Sequence, residues 1–295
     1  MAVCNICPRK CGVDRAKAKG YCGMSDRVKI SRAALHMWEE PCISADKGSG
    51  TVFFSGCNMK CVFCQNKDIS HDGFGKEITV EHLADIMLRL QSEGALNINL
   101  VTPTHYTLQI IEAVKIARQQ GLNLPIVCTT SGYENVRTVK MLKDTVDVWL
   151  PDFKYIDNEK AVRYSNAPGY TEIAKRALDE MVSQQGECVF DKDGVIQKGV
   201  IVRHLVMPGG VGDAKKITRY LHRRYGDKIY ISLMSQYTPC PDLSLYPEID
   251  RKVTAAEYDE VVDFAVDIGV ENGFIQDGER ASESFIPPFN LEGVD

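Results

Sequence analysis

The chain has 295 residues, 44% of them hydrophobic and 25% charged, which is enough apolar material for a large core and excludes a disordered or low-complexity protein. A formal charge of −5 and the lack of any polybasic cluster leave no electrostatic footprint for nucleic acid. No run of about 18 apolar residues occurs, and Met1-Ala2-Val3-Cys4 lacks a charged head followed by an apolar stretch, so no membrane partner or secretory leader is expected and the chain reads as cytoplasmic.

Residues 1–50 are loop-like, basic and cysteine-rich, end in Ala45-Asp46-Lys47-Gly48-Ser49-Gly50, and are expected to form a separate N-terminal lobe. From residue 51 to 295 short apolar runs alternate with helical patterns, the rhythm of βα units around a parallel sheet. Strands are predicted at 52–55, 98–102, 126–130, 146–150, 200–206, 228–233 and 273–276. Between them Leu83, Ile86, Met87 and Leu90 follow helical spacing behind Thr79 as N-cap, and Ile110, Ala113, Val114 and Ala117 repeat it before Gly121. A third stripe is Ile173, Ala174, Ala177, Leu178 and Met181, and residues 186–199, with Asp193-Gly194, predict a hairpin or surface insertion. Six such units are too few for a closed eight-stranded barrel. The expected fold class is therefore α/β, an open partial (β/α)6 barrel carrying a cysteine-rich metal-binding lobe, with active-site groups at the C-terminal ends of the strands.

Seven of the eleven cysteines fall in two compact groups, which in a cytosolic chain points to metal rather than disulfides. Cys57, Cys61 and Cys64 directly follow the first strand of the βα series, at Cys-x3-Cys-x2-Cys spacing. A loop this short can wrap three thiolates around one iron–sulfur cube and leave one iron open for a ligand. The competing arrangement is a zinc site completed by His71. Upstream, Cys4, Cys7, Cys11 and Cys22 supply four ligands for a closed site that suits structure or electron relay, with zinc, a single iron and a second cluster all compatible. Cys42 lies apart as a spare ligand or a buried thiol, and Cys128, Cys188 and Cys240 read as inert.

The triplet resembles the signature of the radical S-adenosylmethionine (radical SAM) enzymes, and Cys61-Val62-Phe63-Cys64-Gln65-Asn66-Lys67-Asp68 is similar to the cluster loop of the pyruvate formate-lyase activating enzymes. Cys7-Pro8-Arg9-Lys10-Cys11-Gly12, Leu35-His36-Met37-Trp38-Glu39-Glu40-Pro41, the run 48–57 and Asn97-Ile98-Asn99-Leu100-Val101-Thr102-Pro103-Thr104-His105-Tyr106 resemble an activating-enzyme-like branch in which a four-cysteine segment precedes the barrel. The resemblance implies a 4Fe–4S cluster whose open iron is chelated by S-adenosylmethionine, reductive cleavage of that cofactor, and a 5′-deoxyadenosyl radical that abstracts hydrogen. It also implies an electron donor such as flavodoxin or ferredoxin, and a substrate that is a protein glycine, another peptide or a small molecule.

Carried over by position, the resemblance places Phe63 and Asn66 beside the cluster and cofactor. Val101-Thr102-Pro103-Thr104 stands where the superfamily usually has a Gly-Gly-Glu-Pro-like turn for the cofactor's amino group; Thr102, Pro103 and Thr104 keep the turn and its acceptors, and the acidic member is absent. Thr129 replaces an acidic residue tied to a monovalent cation, so that site is not carried over, and Ser131 borders the cofactor. Asp152 and Lys154 resemble the activases' Asp-x-Lys and share one face of an extended segment, with Lys154 expected to meet the cofactor's carboxylate or the substrate. Arg203 sits in a largely apolar strand and needs an anionic partner. With Asp152 and Lys154 it forms the candidate catalytic set, the alternatives being an Asp152–Lys154 surface pair and an Arg203 salt bridge inside the barrel. His36, His105 and His204 are acid–base candidates or hydrogen-bonded core side chains, and Tyr106, Gln236 and Tyr237 fall at strand ends. The alternative for the whole chain is a non-catalytic iron–sulfur or zinc protein acting in electron transfer or partner binding.

Overall fold

The structure, a computed structural model, describes residues 3–241, 243–276 and 286–295. Its apolar runs form parallel strands β2 (Ser49–Phe54), β4 (Ile98–Val101), β5 (Ile126–Thr130), β6 (Val148–Pro151), β8 (Ile196–Leu205), β9 (Tyr230–Met234) and β10 (Gly273–Ile275). At one edge β1 (Val28–His36) pairs antiparallel with both β2 and β3 (Lys76–Ile78), and β7 (Val189–Phe190) makes the expected hairpin with β8. The order β10-β9-β8-β6-β5-β4-β2-β1-β3 runs open from edge to edge. The expected α/β partial barrel is present, with a seventh parallel strand at one edge and an antiparallel pair at the other.

The outer layer is built from the predicted amphipathic stripes. In α3 (Val80–Ser92) the buried residues include Leu83, Ile86, Met87 and Leu90, and Thr79 Oγ1 accepts from the His82 N–H at 3.1 Å as N-cap. The helices α4 (Thr107–Gln119), α7 (Tyr170–Gln185), α8 (Val211–Tyr225) and α9 (Ala255–Asp267) bury comparable stripes. Successive strand residues face opposite ways, so Leu100, Cys128, Trp149 and Val202 join this outer core while Val127, Val148, Leu150 and Ile201 form a smaller cluster inside the barrel. Among the described residues no helix is long and apolar enough to cross a membrane.

Two departures have local causes. The N-terminal segment is not loop throughout: β1 is a nine-residue strand, buried because β2 and β3 flank it and the chain end covers it, with Leu291 and Glu292 exchanging backbone hydrogen bonds with Ser31 and Ala33. After β1 the chain turns into the barrel through α1 (Pro41–Ser44), whose Cys42 and Ile43 pack in the interior cluster and whose Ile43 carbonyl accepts from Asn97 Nδ2 at 2.8 Å. The fourth predicted strand starts two residues late because the N–H groups of Thr145 and Val146 are already bonded to the Leu142 carbonyl in a helical turn.

Candidate active site

β2 delivers the cluster loop to the mouth of the sheet. Gly56 turns the chain at φ +84°, and a Cβ there would overlap Met24 and stand 2.7 Å from the Cys22 carbonyl oxygen, so the loop begins against the cysteine-rich N-terminal segment. Asn58 Nδ2 donates to the Tyr133 carbonyl at 2.7 Å, and the Lys60 and Val62 N–H groups donate to Ser165 and Tyr164 carbonyls at the end of α6 (Asn158–Ser165). Each of the three sulfurs then meets a polar group. The Met59 N–H donates to Cys57 Sγ at 3.4 Å, Ser165 Oγ donates to Cys61 Sγ at 3.0 Å, and Cys64 Sγ lies 3.1 Å from Ser70 Oγ in α2 (Lys67–Ser70).

Burial pushes the Cys57 thiol up to about 12 and, with Cys64 nearby, Cys61 to about 11, while Lys154 pulls both down. Thiols so disfavoured as anions ionise together only around a cationic centre, and their hydrogen-bond donors suit bound thiolates. That is the donor set a thiolate-held iron–sulfur cluster needs. Among the described residues no three His, Cys, Asp or Glu side chains already close around the position of a single ion, so the fit rests on these donors. His71 ends α2, half-buried and lowered by burial and by Lys60 and Lys67. Phe63 packs its ring 5.7 Å from that of Tyr237, Asn66 precedes α2 with its carbonyl accepting from Ser70, and half-buried Cys240 feels the charge of Cys64.

The neighbouring strand ends supply the rest. Thr102 closes β4 at φ +60°, a left-handed conformation that costs a β-branched residue on the order of 1–2 kcal/mol and is held by its N–H donating to the Thr129 carbonyl at 2.9 Å. Pro103 is buried behind it. The Thr104 hydroxyl donates to Glu134 at 2.7 Å, in the loop after β5, and its carbonyl accepts from Thr107 at the start of α4. Thr129 donates to Asn99 at 2.8 Å, and Ser131 Oγ lies 3.4 Å from Asn58 Oδ1.

Beyond β6, Lys154 Nζ stands 2.6 Å from Asp152 Oδ2, both side chains 19% exposed. Burial opposes the Lys154 charge, but Asp152 and Cys61 outweigh it and raise the lysine above its ordinary value. Arg203 has the anionic partner its sequence context demands: its NH1 donates to Glu39 Oε2 at 2.9 Å, Glu40 Oε2 lies 3.8 Å away, and Asp152 Oδ1 is 3.7 Å from its Nε. Asp152, Lys154 and Arg203 are thus one cluster, joined to Glu39 and Glu40 from the segment before α1. Glu39 and Glu40 carried no assigned role in the sequence; the signal was an acidic pair between apolar Met37-Trp38 and Pro41. Tyr170 carried no signal, yet its hydroxyl donates to the Ser131 and Asp152 carbonyls and accepts from the Lys154 N–H.

The histidines are core side chains. His105 Nε2 contacts the Ser55 carbonyl at 2.7 Å, His204 Nδ1 the Phe153 carbonyl at 2.8 Å, and His36 packs edge-on against Phe53. Burial lowers them to about 3, 4 and 4 respectively, with Arg15 adding to the effect on His105. Tyr106 is fully buried against Phe54 and His105, and the Tyr237 hydroxyl donates to the Ile249 carbonyl at 2.7 Å.

Upstream, Cys4, Cys7, Cys11 and Cys22 come together. A Cβ built on Gly20 would lie 3.3 Å from Cys11 Sγ and 3.5 Å from Cys22 Sγ, and Cys7 and Cys22 each feel the charge of Cys4. Burial raises Cys7 to about 12; in Cys11 the N–H groups of Tyr21 and Val13 outweigh burial and lower the thiol. This segment touches the cluster loop through Arg9 Nε, which donates to the Asn58 carbonyl at 2.7 Å.

Residues 51–192 match the radical SAM superfamily, and an uncharacterised protein of Methanocaldococcus jannaschii is 32% identical over 272 residues, 89% of this chain and 74% of that protein. The chain belongs to the radical SAM superfamily. The pyruvate formate-lyase-activating enzyme of Clostridium pasteurianum is 29% identical over 182 residues, 58% of this chain and 66% of that enzyme. Streptococcus suis SuiB bound to S-adenosylmethionine superimposes with TM-score 0.51 at 12% identity over 75% of this chain and 47% of its own. HydG, a maturase of the FeFe hydrogenase, superimposes with TM-score 0.50 at 13% identity over 74% and 48%. These two likenesses establish the fold, and the chain spans about half the length of each solved chain. Membership supports an enzyme of radical SAM type, the superfamily named for its use of S-adenosylmethionine and expected to carry a 4Fe–4S cluster.

Proposed function

We propose that Cys57, Cys61 and Cys64 hold the 4Fe–4S cluster at the mouth of the partial barrel and that Lys154 orients S-adenosylmethionine beside it. The observation that supports this reading is that each of the three sulfurs on this short loop has a polar contact suited to a bound thiolate, with Lys154 close enough for its charge to act on Cys57 and Cys61. When bound, the two cofactors supply one-electron cleavage of a carbon–sulfur bond and a 5′-deoxyadenosyl radical that takes hydrogen from a substrate. The chain's residues bind and orient. The Lys154 ammonium faces a carboxylate, held in place by Asp152; the Thr102 carbonyl and hydroxyl serve as acceptors for an amino group, with Pro103 and Thr104 fixing the turn; and Phe63, Asn66 and Ser131 border the cofactor. Arg203, tied to Glu39, holds Asp152 from the other side.

Similarity to pyruvate formate-lyase-activating enzymes supports an activase-like oxidoreductase acting on a protein glycine, reduced by a donor of flavodoxin or ferredoxin type. The four upstream cysteines are assigned a closed metal site of zinc, iron or a second cluster, supported by the Cys11 and Cys22 sulfurs flanking Gly20 and by the N–H groups aimed at Cys11. The test is anaerobic reconstitution with iron and sulfide, then reduction with dithionite in the presence of S-adenosylmethionine. Broad absorption near ~400 nm and 5′-deoxyadenosine are expected from the native chain, and neither the triplet's iron nor the product from a Cys57→Ala/Cys61→Ala/Cys64→Ala variant. That variant should keep the upstream metal. Iron uptake that is indifferent to the triplet would overturn the reading.

A further inference from the structure

A cleft of about 340 Å3 opens on the side of the barrel, between the segment before α1 and the C-terminal ends of β9 and β10. Its floor is charged, and its rim carries apolar side chains beside the exposed carboxylate of Asp46. Glu39, Glu40 and Arg203 line the bottom with side chains 7%, 6% and 14% exposed, while Met37 and Trp38 stand 43% and 57% exposed at the edge. Gln236 also lines the cleft, and its carbonyl accepts from Gln65 of the cluster loop at 3.2 Å, so the cleft and the cluster loop share a wall.

The charges do not balance. Three carboxylates, of Glu39, Glu40 and Asp152, meet two cations, Arg203 and Lys154. Glu39 is satisfied at both oxygens, Oε2 by Arg203 and Oε1 by Asn99 Nδ2 at 2.9 Å. Glu40 is not: its Oε2 has no hydrogen-bond partner among the described residues and stays 3.8 Å from the Arg203 guanidinium. A buried carboxylate oxygen without a donor is costly, so the position favours an arriving donor that carries positive charge. Burial and the neighbouring Glu39 raise the Glu40 carboxyl against the pull of Arg203, which is the same imbalance expressed as proton affinity.

We infer that this cleft receives the substrate, and that it takes an alkylammonium or guanidinium group on an apolar arm, with Glu40 as counter-ion and Met37 and Trp38 against the arm. The assignment deepens the radical SAM reading and rests on it, because contacts run from Glu40 through Arg203 and Asp152 to Lys154, beside Cys61.

The test is calorimetric titration of the reconstituted protein, saturated with S-adenosylmethionine, with three probes: Nα-acetyl-lysine methylamide, Nα-acetyl-norleucine methylamide and Nα-acetyl-glutamate methylamide. A charge-assisted hydrogen bond to a buried carboxylate predicts at least about tenfold tighter binding of the lysine probe than of the norleucine probe, and weaker binding still of the glutamate probe. Glu40→Gln should shrink the lysine preference to within about threefold. Equal binding of the three probes to the native protein, which needs no variant to fold, would overturn the inference. So would a lysine preference that survives Glu40→Gln, or a Glu40→Gln variant that loses S-adenosylmethionine instead of the lysine probe. Formation of 5′-deoxyadenosine by the native protein is measured alongside: its absence sinks the radical reading, whereas its presence with no lysine preference sinks only the cleft assignment.

Discussion

Ser165 hydrogen bonds Cys61 Sγ at 3.0 Å from the end of α6, whose Tyr164 and Ser165 carbonyls also accept from the cluster loop. A hydroxyl donor on a cluster thiolate favours the reduced, more negative state. At roughly 1 kcal/mol per bond, and about 59 mV per tenfold for one electron, Ser165→Ala should lower the cluster's midpoint potential by on the order of 40 mV. An anaerobic redox titration followed by electron paramagnetic resonance reads this directly, and an unmoved potential would remove Ser165 from the cluster's surroundings. Glu134 makes a different residue-scale prediction. Buried at 3% exposure, it is pushed from its ordinary value of 4.5 up to about 8 by burial, against a hydrogen bond from Thr104. The folded chain therefore holds a proton that the unfolded chain releases above about 4.5, and the stability this carboxyl contributes fades as pH rises toward 8. Glu134→Gln should melt a few degrees above the native protein at pH 8 and close to it at pH 5, by differential scanning calorimetry; a difference that does not change with pH would contradict the titration.

At the scale of elements, β5 and β6 meet where Gly132, at φ +74°, packs so tightly that a Cβ would overlap the Asp152 carbonyl oxygen. Gly132→Ala should cost more than about 2 kcal/mol and weaken S-adenosylmethionine binding by displacing Asp152 and Lys154. Gly186→Ala is the control: φ is +70° there too, with ψ −137°, and nothing lies within 4 Å, so only backbone strain of about 1–3 kcal/mol and no change in cofactor affinity should appear. Equal losses in Tm and cofactor affinity for the two variants would show that the contact with Asp152 carries nothing. The elements themselves divide by how local their cause is. α3 and α4 were legible because a stripe repeating every three or four residues, in α3 with a cap before it, is a property of one segment. β1 was not, because Ala33-Ala34 and the charges of Lys29 and Arg32 blur its alternation, and its burial comes from β2, β3 and the distant C-terminal residues 291–293. The start of β6 was misplaced for a related reason: Val146 has strand chemistry, but its N–H is already committed to Leu142.

Across the whole molecule the same division separates the cluster loop from the charge network behind it. Three cysteines within eight residues announce a metal on their own, and a lone arginine in an apolar strand announces that an anion must exist. Neither says that the anions sit 164 residues upstream, on a segment that enters the barrel between β1 and β2. Arg203 is consequently the pin that fastens that segment to β8 and, through Asp152, to the cofactor side. Arg203→Met removes the cation and leaves Glu39, Glu40 and Asp152 buried without it, which should cost about 3–5 kcal/mol in denaturant unfolding. Adding Glu39→Gln and Glu40→Gln to the same chain removes two of the stranded charges while keeping the volume, so the triple variant should recover more than half of that loss. Recovery is the decisive outcome, because lost packing around the arginine stem would leave the single and triple variants equally unstable. A triple variant that exceeded the native chain in stability would go further and show that the intact network is itself a cost in stability, as expected of charges kept for binding rather than for folding.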